Sequence, residues 1–217
     1  MTGRLLSVNL AVVTRADWAG DPSGLSGIDK RSTAGRVTLR ADGVEGDFVG
    51  ERAVHGGVDK AVYAYATEDT AWWAGDLGRD IPPGGLGENL TTEAVDVTGA
   101  VIGERWAVGS AVLEVAQPRL PCRTFAGYWG VPDLIKRFTA RAVPGAYLRV
   151  VRDGEVTAGD PVEVTYRPEH GVTIGLTFRA LTGEPALLPR LLLAPELPDD
   201  IRDRARRRLG DRKAGDT

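Results

Sequence analysis

The chain has 217 residues, 42% of them hydrophobic and 26% charged, with a formal net charge of −3. This composition suits a folded, soluble protein with a sizeable core and excludes a disordered chain. The slight acidity gives no bulk attraction for nucleic acid or an anionic membrane, and one cysteine with two histidines excludes internal disulfides and Cys-rich structural zinc sites.

The first apolar, β-branched run predicts a strand over 5–13, with no signal-peptide pattern before it and no run long enough to span a bilayer. A cytoplasmic protein is expected. Further strands are predicted over 61–65, 101–108, 111–116, 147–151 and 162–166, with tight hairpins at Gly109-Ser110 and Asp153-Gly154. A helix is predicted over 67–77, capped by Thr67, carrying Glu68 and Asp69 in its first turn and stopped by Gly78. Another starts at Pro132, with Leu134, Ile135 and Phe138 on its apolar face. After Pro168 the pattern changes to three helix-like pieces over 172–181, 185–193 and 198–209. The last carries Arg202, Arg204, Arg206, Arg207 and Arg208 against Asp203, either as a solvated face or as a dock for an acidic electron-transfer protein. The expected fold is mainly β with helices (α+β): a barrel or folded-over sheet over 1–167 and a small C-terminal helical module over 168–217.

Three clusters carry candidate chemistry. His55-Gly56-Gly57-Val58-Asp59-Lys60 runs into the predicted strand at 61–65. Adjacent glycines let the main chain approach a ligand closely, and His55 and Lys60 add donors for a phosphate or carbonyl group. An ordinary glycine turn fits the same residues. Lysine is scarce, at four residues against 23 arginines, so a lysine beside a glycine pair points toward an anion. The second cluster, Pro83-Gly84-Gly85-Leu86-Gly87-Glu88-Asn89-Leu90, makes a loop that can wrap a ligand, with Glu88 and Asn89 as acceptor and amide. It is neither a Walker loop nor a Rossmann fingerprint, because no Gly-Lys-Ser/Thr and no helix follow. The third, Gln117-Pro118-Arg119-Leu120-Pro121-Cys122-Arg123, follows the predicted strand at 111–116. Its prolines stiffen the exit and present Cys122 on a rigid loop, where Arg119 and Arg123 favour thiolate over thiol. A thiolate ligates a soft metal or attacks an electrophile, although a lone cysteine is also commonly a small buried hydrophobe. Cysteine-protease chemistry fits poorly, since His55 has no recognisable orienting partner.

In this order, and with Ile102-Gly103-Glu104-Arg105-Trp106 and Gly109-Ser110-Ala111-Val112-Leu113-Glu114-Val115 between them, these clusters resemble the MOSC domain family. The likeness is greatest to its small bacterial YiiM-like branch, which carries a three-helix module at the C-terminus. The resemblance covers nearly the whole chain. It implies a β-barrel-like core that binds the pterin-based molybdenum cofactor (Mo-molybdopterin), with Cys122 as metal ligand, and reduction of N-hydroxylated small molecules such as hydroxylaminopurines and amidoximes. It brings Lys30, in Ser26-Gly27-Ile28-Asp29-Lys30, into a cofactor-binding set with His55, Gly56, Gly57, Lys60, Glu88, Asn89, Arg119, Cys122 and Arg123. Cys122, His55 and Asn89 are the candidates for catalysis. In Gly46-Asp47-Phe48-Val49-Gly50-Glu51, Val49 and Glu51 stand where relatives often carry glutamine and aspartate. A single cysteine cannot hold an iron–sulfur cluster, and no flavin or haem motif is visible, so a separate electron-donor protein is expected. A homodimer is compatible with this reading. Two rivals use the same residues: a sulfur carrier with a persulfide on Cys122, and a non-catalytic molybdenum-cofactor-binding protein.

Overall fold

The computed structural model describes residues 3–215, without the side chains of 53, 54 and 211–215. Strand β1 (Gly3–Ala11) opens the chain. The short β2 (Thr14–Arg15) and β3 (Leu25–Ser26) pair with each other, and β4 (Lys30–Ser32) returns to β1. After β5 (Val37–Arg40) and β6 (Gly43–Val44), a single turn of helix, α1 (Arg52–His55), and a 3-10 turn at Val58–Lys60 lead into β7 (Val62–Ala66). Helix α2 (Thr67–Leu77) connects β7 to β8 (Leu90–Glu93), and β9 (Arg105–Val108) and β10 (Ala111–Pro118) form a hairpin. Helices α3 (Arg123–Trp129) and α4 (Leu134–Arg141) precede β11 (Ala146–Arg152), β12 (Gly154–Val156) and β13 (Pro161–Tyr166). The chain continues with α5 (Ile174–Thr182), α6 (Leu188–Leu191) and α7 (Asp199–Gly215).

The strand order β13-β9-β10-β11-β7-β8-β1 closes on itself through pairing of β1 with β13, giving a seven-stranded barrel. Strands β7 and β8 run parallel, as their α2 crossover requires, and the other barrel neighbours are antiparallel. Inward-facing Leu5, Val62, Leu113 and Leu148 are fully buried and share one core with Ile174, Leu188, Leu191 and Ala194 of the C-terminal helices. Burying each such side chain contributes roughly 1.5–3 kcal/mol. The predicted barrel-like core with C-terminal helices is therefore what the chain forms. A second cluster is aromatic: Tyr63, Tyr65, Trp73, Phe125, Phe138 and Phe178 pack together, and Cys122 lies against it.

Local chemistry shifts several predicted elements. The strand expected over 101–108 begins only at Arg105. Val101 makes an isolated bridge to Thr173, while the buried Glu104 turns inward to accept from Trp106 Nε1 at 2.7 Å and to pair with Arg167 at 2.6 Å. Gly109-Ser110 is a two-residue hairpin loop, with Ala111 opposite Val108. Asp153-Gly154 is not a hairpin turn: β12 leaves β11 and pairs with β5 instead. Gly154 packs so closely on Ala111 that a Cβ there would lie 2.4 Å from its nitrogen, and the Ser110 hydroxyl accepts from the Glu155 N–H at 2.8 Å. Thr67 does not cap α2. Ala66 holds the N-cap position with no side-chain bond, and Gly78 ends the helix in the left-handed region at φ +64°. Helix α4 starts two residues beyond Pro132, and α3 was not foreseen.

Candidate functional site

One cleft gathers most of the singled-out residues. Lys30, His55, Lys60, Asn89, Arg119 and Cys122 all line it, and it encloses about 770 Å³ including its open mouth. Four pieces of local structure build it.

The first is the end of β10. Its exit through Pro118 to Pro121 delivers Cys122 to the N-cap position of α3, in an extended conformation at φ −130°, ψ 172°. A helix therefore follows the cysteine at once. Burial raises the thiol pKa, but a side-chain hydrogen bond with His55, the Arg119 charge and the Phe125 N–H together outweigh it and bring Cys122 down to about 7. Near neutral pH a large fraction of it is thiolate.

Arg119 is the second piece. It is 6% exposed and donates to the Leu86 carbonyl at 2.9 Å. Its guanidinium lies 4.1 Å from the Phe125 ring centre and 5.3 Å from that of Tyr63. Burial opposes its charge, yet Tyr63, Tyr147 and Cys122 hold its pKa above the usual arginine value. Among the described residues it makes no ion pair, so its field falls on the cleft and the sulfur. Burial likewise keeps the phenols of Tyr63 and Tyr147, both on the cleft wall, protonated.

Third comes the His55 turn. Glu51 and the single turn of α1 fix the His55 backbone, whose N–H donates to the Glu51 carbonyl at 2.9 Å. Gly57 then takes φ +97°, a value that favours glycine, and the 3-10 turn carries Lys60 into the cleft. Arg149 holds this turn through Asp59 Oδ1 at 2.5 Å, while Gln117 holds the Asp59 carbonyl at 3.3 Å. Gly56 and Gly57 line an adjoining cleft that shares Asp47, Val49, Lys60 and Ala61 with the first.

The fourth piece is a buried polar network around Asp47. Its carboxylate accepts from Lys30 Nζ at 2.5 and 2.6 Å, from Asn89 Nδ2 at 2.8 Å and from the Ala11 N–H at 2.8 Å. Burial lowers the Lys30 pKa and Asp47 works against it. Lys30 and Asp47 are 7% and 5% exposed, so the lysine charge is committed to this carboxylate rather than offered to a ligand. The Asn89 amide is occupied likewise, since its oxygen accepts from the Tyr63 N–H at 3.1 Å. Asp47, Tyr63 and Tyr147 were not in the candidate set. The Gly46-Asp47 pair and the alternation in Val62-Tyr63-Ala64-Tyr65 were their only sequence signals.

Two candidates, Glu88 and Arg123, line neither cleft. Glu88 is fully buried behind the glycine loop, accepting from the Gly84 N–H at 2.7 Å, the Leu86 N–H at 3.0 Å and the Thr91 hydroxyl at 2.8 Å. It folds the loop so that the Leu86 carbonyl meets Arg119. Arg123 is exposed and does not line the cleft.

Comparisons with known proteins bear on the family and the fold. The sequence profile of the MOSC domain matches residues 51–163. The chain is 32% identical to the uncharacterized protein YflK of Bacillus subtilis over 175 residues, 81% of this chain and 79% of YflK. It is 29% identical over 217 residues to a protein of Gibberella moniliformis named a reductase, spanning 95% of this chain but 37% of that one. The crystal structure of YiiM from Geobacillus stearothermophilus matches with a TM-score of 0.79 at 26% identity, over 95% of this chain and 99% of that one.

Proposed function

The chain belongs to the MOSC domain family, and on that premise we propose that it binds the molybdenum cofactor through Cys122 and reduces N-hydroxylated compounds of the hydroxylaminopurine or amidoxime type. The observation that carries this reading is the Cys122 thiol, held at about 7 in a cleft between His55 and Arg119. The donor set fits such a group. It offers one soft thiolate, and no cluster of three His, Cys, Asp or Glu occurs among the described residues, so a metal here must bring its other ligands with it.

Cys122 would hold the metal, and Lys60 and Arg119 the anionic and polar edges of the cofactor, with backbone N–H groups of the Gly56-Gly57 turn beside them. When bound, the cofactor supplies the two-electron redox chemistry. Reduction of R–NHOH to R–NH2 consumes two electrons and two protons and releases water. His55, half-buried and hydrogen-bonded to the sulfur, would be placed to pass a proton to the departing hydroxyl. The Tyr147 phenol, kept protonated by burial, can donate a hydrogen bond to the substrate. Asn89 and Lys30 position Asp47 and the cleft floor rather than reach the ligand. Electrons enter from a separate donor protein under this reading. The name of the fungal relative is in keeping with its redox half.

Metal and pterin analysis of protein made in a cofactor-competent host tests the proposal. Molybdenum and pterin near one per chain, lost in Cys122→Ser, together with N–OH reduction, is the expected result. Molybdenum without turnover would leave a cofactor carrier, and sulfane sulfur on Cys122 without metal would establish the persulfide carrier instead.

A further inference from the structure

The segment between β1 and β4 is held differently from the rest of the fold. Its strands β2 and β3 pair only with each other, Thr14 with Ser26 and Arg15 with Leu25, in a sheet separate from the barrel. Its other main-chain hydrogen bonds also stay local, from Val12 to Asp29, Ala16 to Gly24, Ala19 to Ala16 and Gly24 to Asp21. The stem at Val12 and Val13 is exposed. Such a unit opens at far lower cost than a barrel strand.

This hairpin nevertheless forms a wall of the Cys122 cleft, through Gly20, Asp21, Leu25, Ser26, Gly27 and Ile28. Near its tip it is fastened to α3, the helix that begins at Cys122. The Gly20 N–H donates to Thr124 Oγ1 at 3.0 Å, and at the base of the stem the Tyr128 hydroxyl donates to Asp29 at 3.3 Å. Trp18 sits edge-on to Tyr128, with ring centres 6.0 Å apart. Its Cβ fills the notch left by Gly127, where an added Cβ would lie 2.3 Å away. At its base, Gly27 lies against the Phe48 carbonyl, which leaves no room for a side chain.

We infer that the β2–β3 hairpin is a lid over the Cys122 cleft, latched to α3 by Trp18 in the Gly127 notch, and that it lifts to admit molecules too large for the closed cleft. The stem at Val12 and Val13 and the return through Gly27 are its hinges. Lids of this kind gate access and shield the site from water. The inference concerns the apoprotein and stands whether or not the molybdenum reading holds.

The single cysteine gives a single-site readout. Full-length protein from a host unable to make the cofactor is alkylated with iodoacetamide, a small probe, and with fluorescein maleimide, a bulky one. Trp18→Ala strips from the latch the indole, whose nearest ring atom would lie 2.7 Å from a Cβ on Gly127 and whose ring packs on Tyr128, and Gly127→Ala fills the seat from the other side. Both variants should speed the bulky reagent by about tenfold and the small one by less than about twofold, as expected when the closed lid excludes only the larger probe. Amide hydrogen exchange over 16–24 should quicken in parallel. An unchanged ratio of bulky to small rates in Trp18→Ala overturns the lid. So does equal acceleration of both reagents in the two variants, because that pattern reports a change in the thiol itself.

Discussion

Replacing His55 with Ala isolates the group that matters most to the state of Cys122. In the native protein the thiol titrates near 7 instead of an ordinary 9.0, although burial alone would push it upward. At pH 7 about half of it is therefore thiolate, against on the order of 1% for an unperturbed thiol. The His55 hydrogen bond is the largest influence lowering it, ahead of the Arg119 charge and the Phe125 N–H. With the imidazole gone, burial is opposed only by the weaker two, and the midpoint should climb by about one pH unit or more. The thiolate fraction at pH 7 then falls to roughly a tenth. The rate of iodoacetamide alkylation against pH reads both midpoints directly. Stability gives a second view with a fixed sign. A depressed folded-state pKa makes the thiolate stabilising, fully above about 9 and progressively less as pH falls through 7. Between those values native protein should gain up to about 3 kcal/mol over Cys122→Ser in urea unfolding. A His55→Ala variant titrating with the native midpoint, or a native midpoint in the ordinary thiol range, would refute the reasoning.

Two further substitutions test the scaffold around the cleft. Asp47→Asn leaves the buried Lys30 charge without its carboxylate and should cost about 3–5 kcal/mol in urea unfolding, with part recovered by adding Lys30→Met; a loss below about 1 kcal/mol would show that Lys30 finds another partner. Glu88→Gln turns one acceptor into a donor facing the N–H groups of Gly84 and Leu86 and should cost about 1–3 kcal/mol. The Cys122 midpoint should stay where it is, and a shifted midpoint with unchanged stability would move Glu88 from the loop scaffold into the site.

What could be read from the sequence followed the physics of each signal. Period-two apolar runs such as Ala111–Pro118 are long enough to declare themselves as strands, and Gly109-Ser110 declares its hairpin. The two-residue strands at Thr14–Arg15 and Gly43–Val44 are too short for any period, and only tertiary pairing defines them. Helix α3 escaped notice because it follows two prolines and is only seven residues long. At the site, the motifs that singled out Cys122, Arg119, His55 and Lys60 converge on one cleft. They could not separate residues that face the cleft from those that build it. Glu88 and Asn89 adjoin in sequence, yet one carboxylate folds the loop while the other side chain reaches the cleft wall. Lys30 entered the set by resemblance alone, and nothing beside it in the sequence announces its partner Asp47, seventeen positions away.

Closure of the barrel sets an order on its making. Gly3 and Arg4 pair with Val162 and Pro161, and the Leu5 N–H donates to the Asp160 carbonyl at 2.8 Å. Strand β1 thus waits for the distant β13 to find one of its neighbours. Until residues beyond 160 exist, β1 can pair with β4 and β8 but keeps a stretch of bare edge. Pairing across so long a stretch of chain makes closure of the barrel the slow step of its folding.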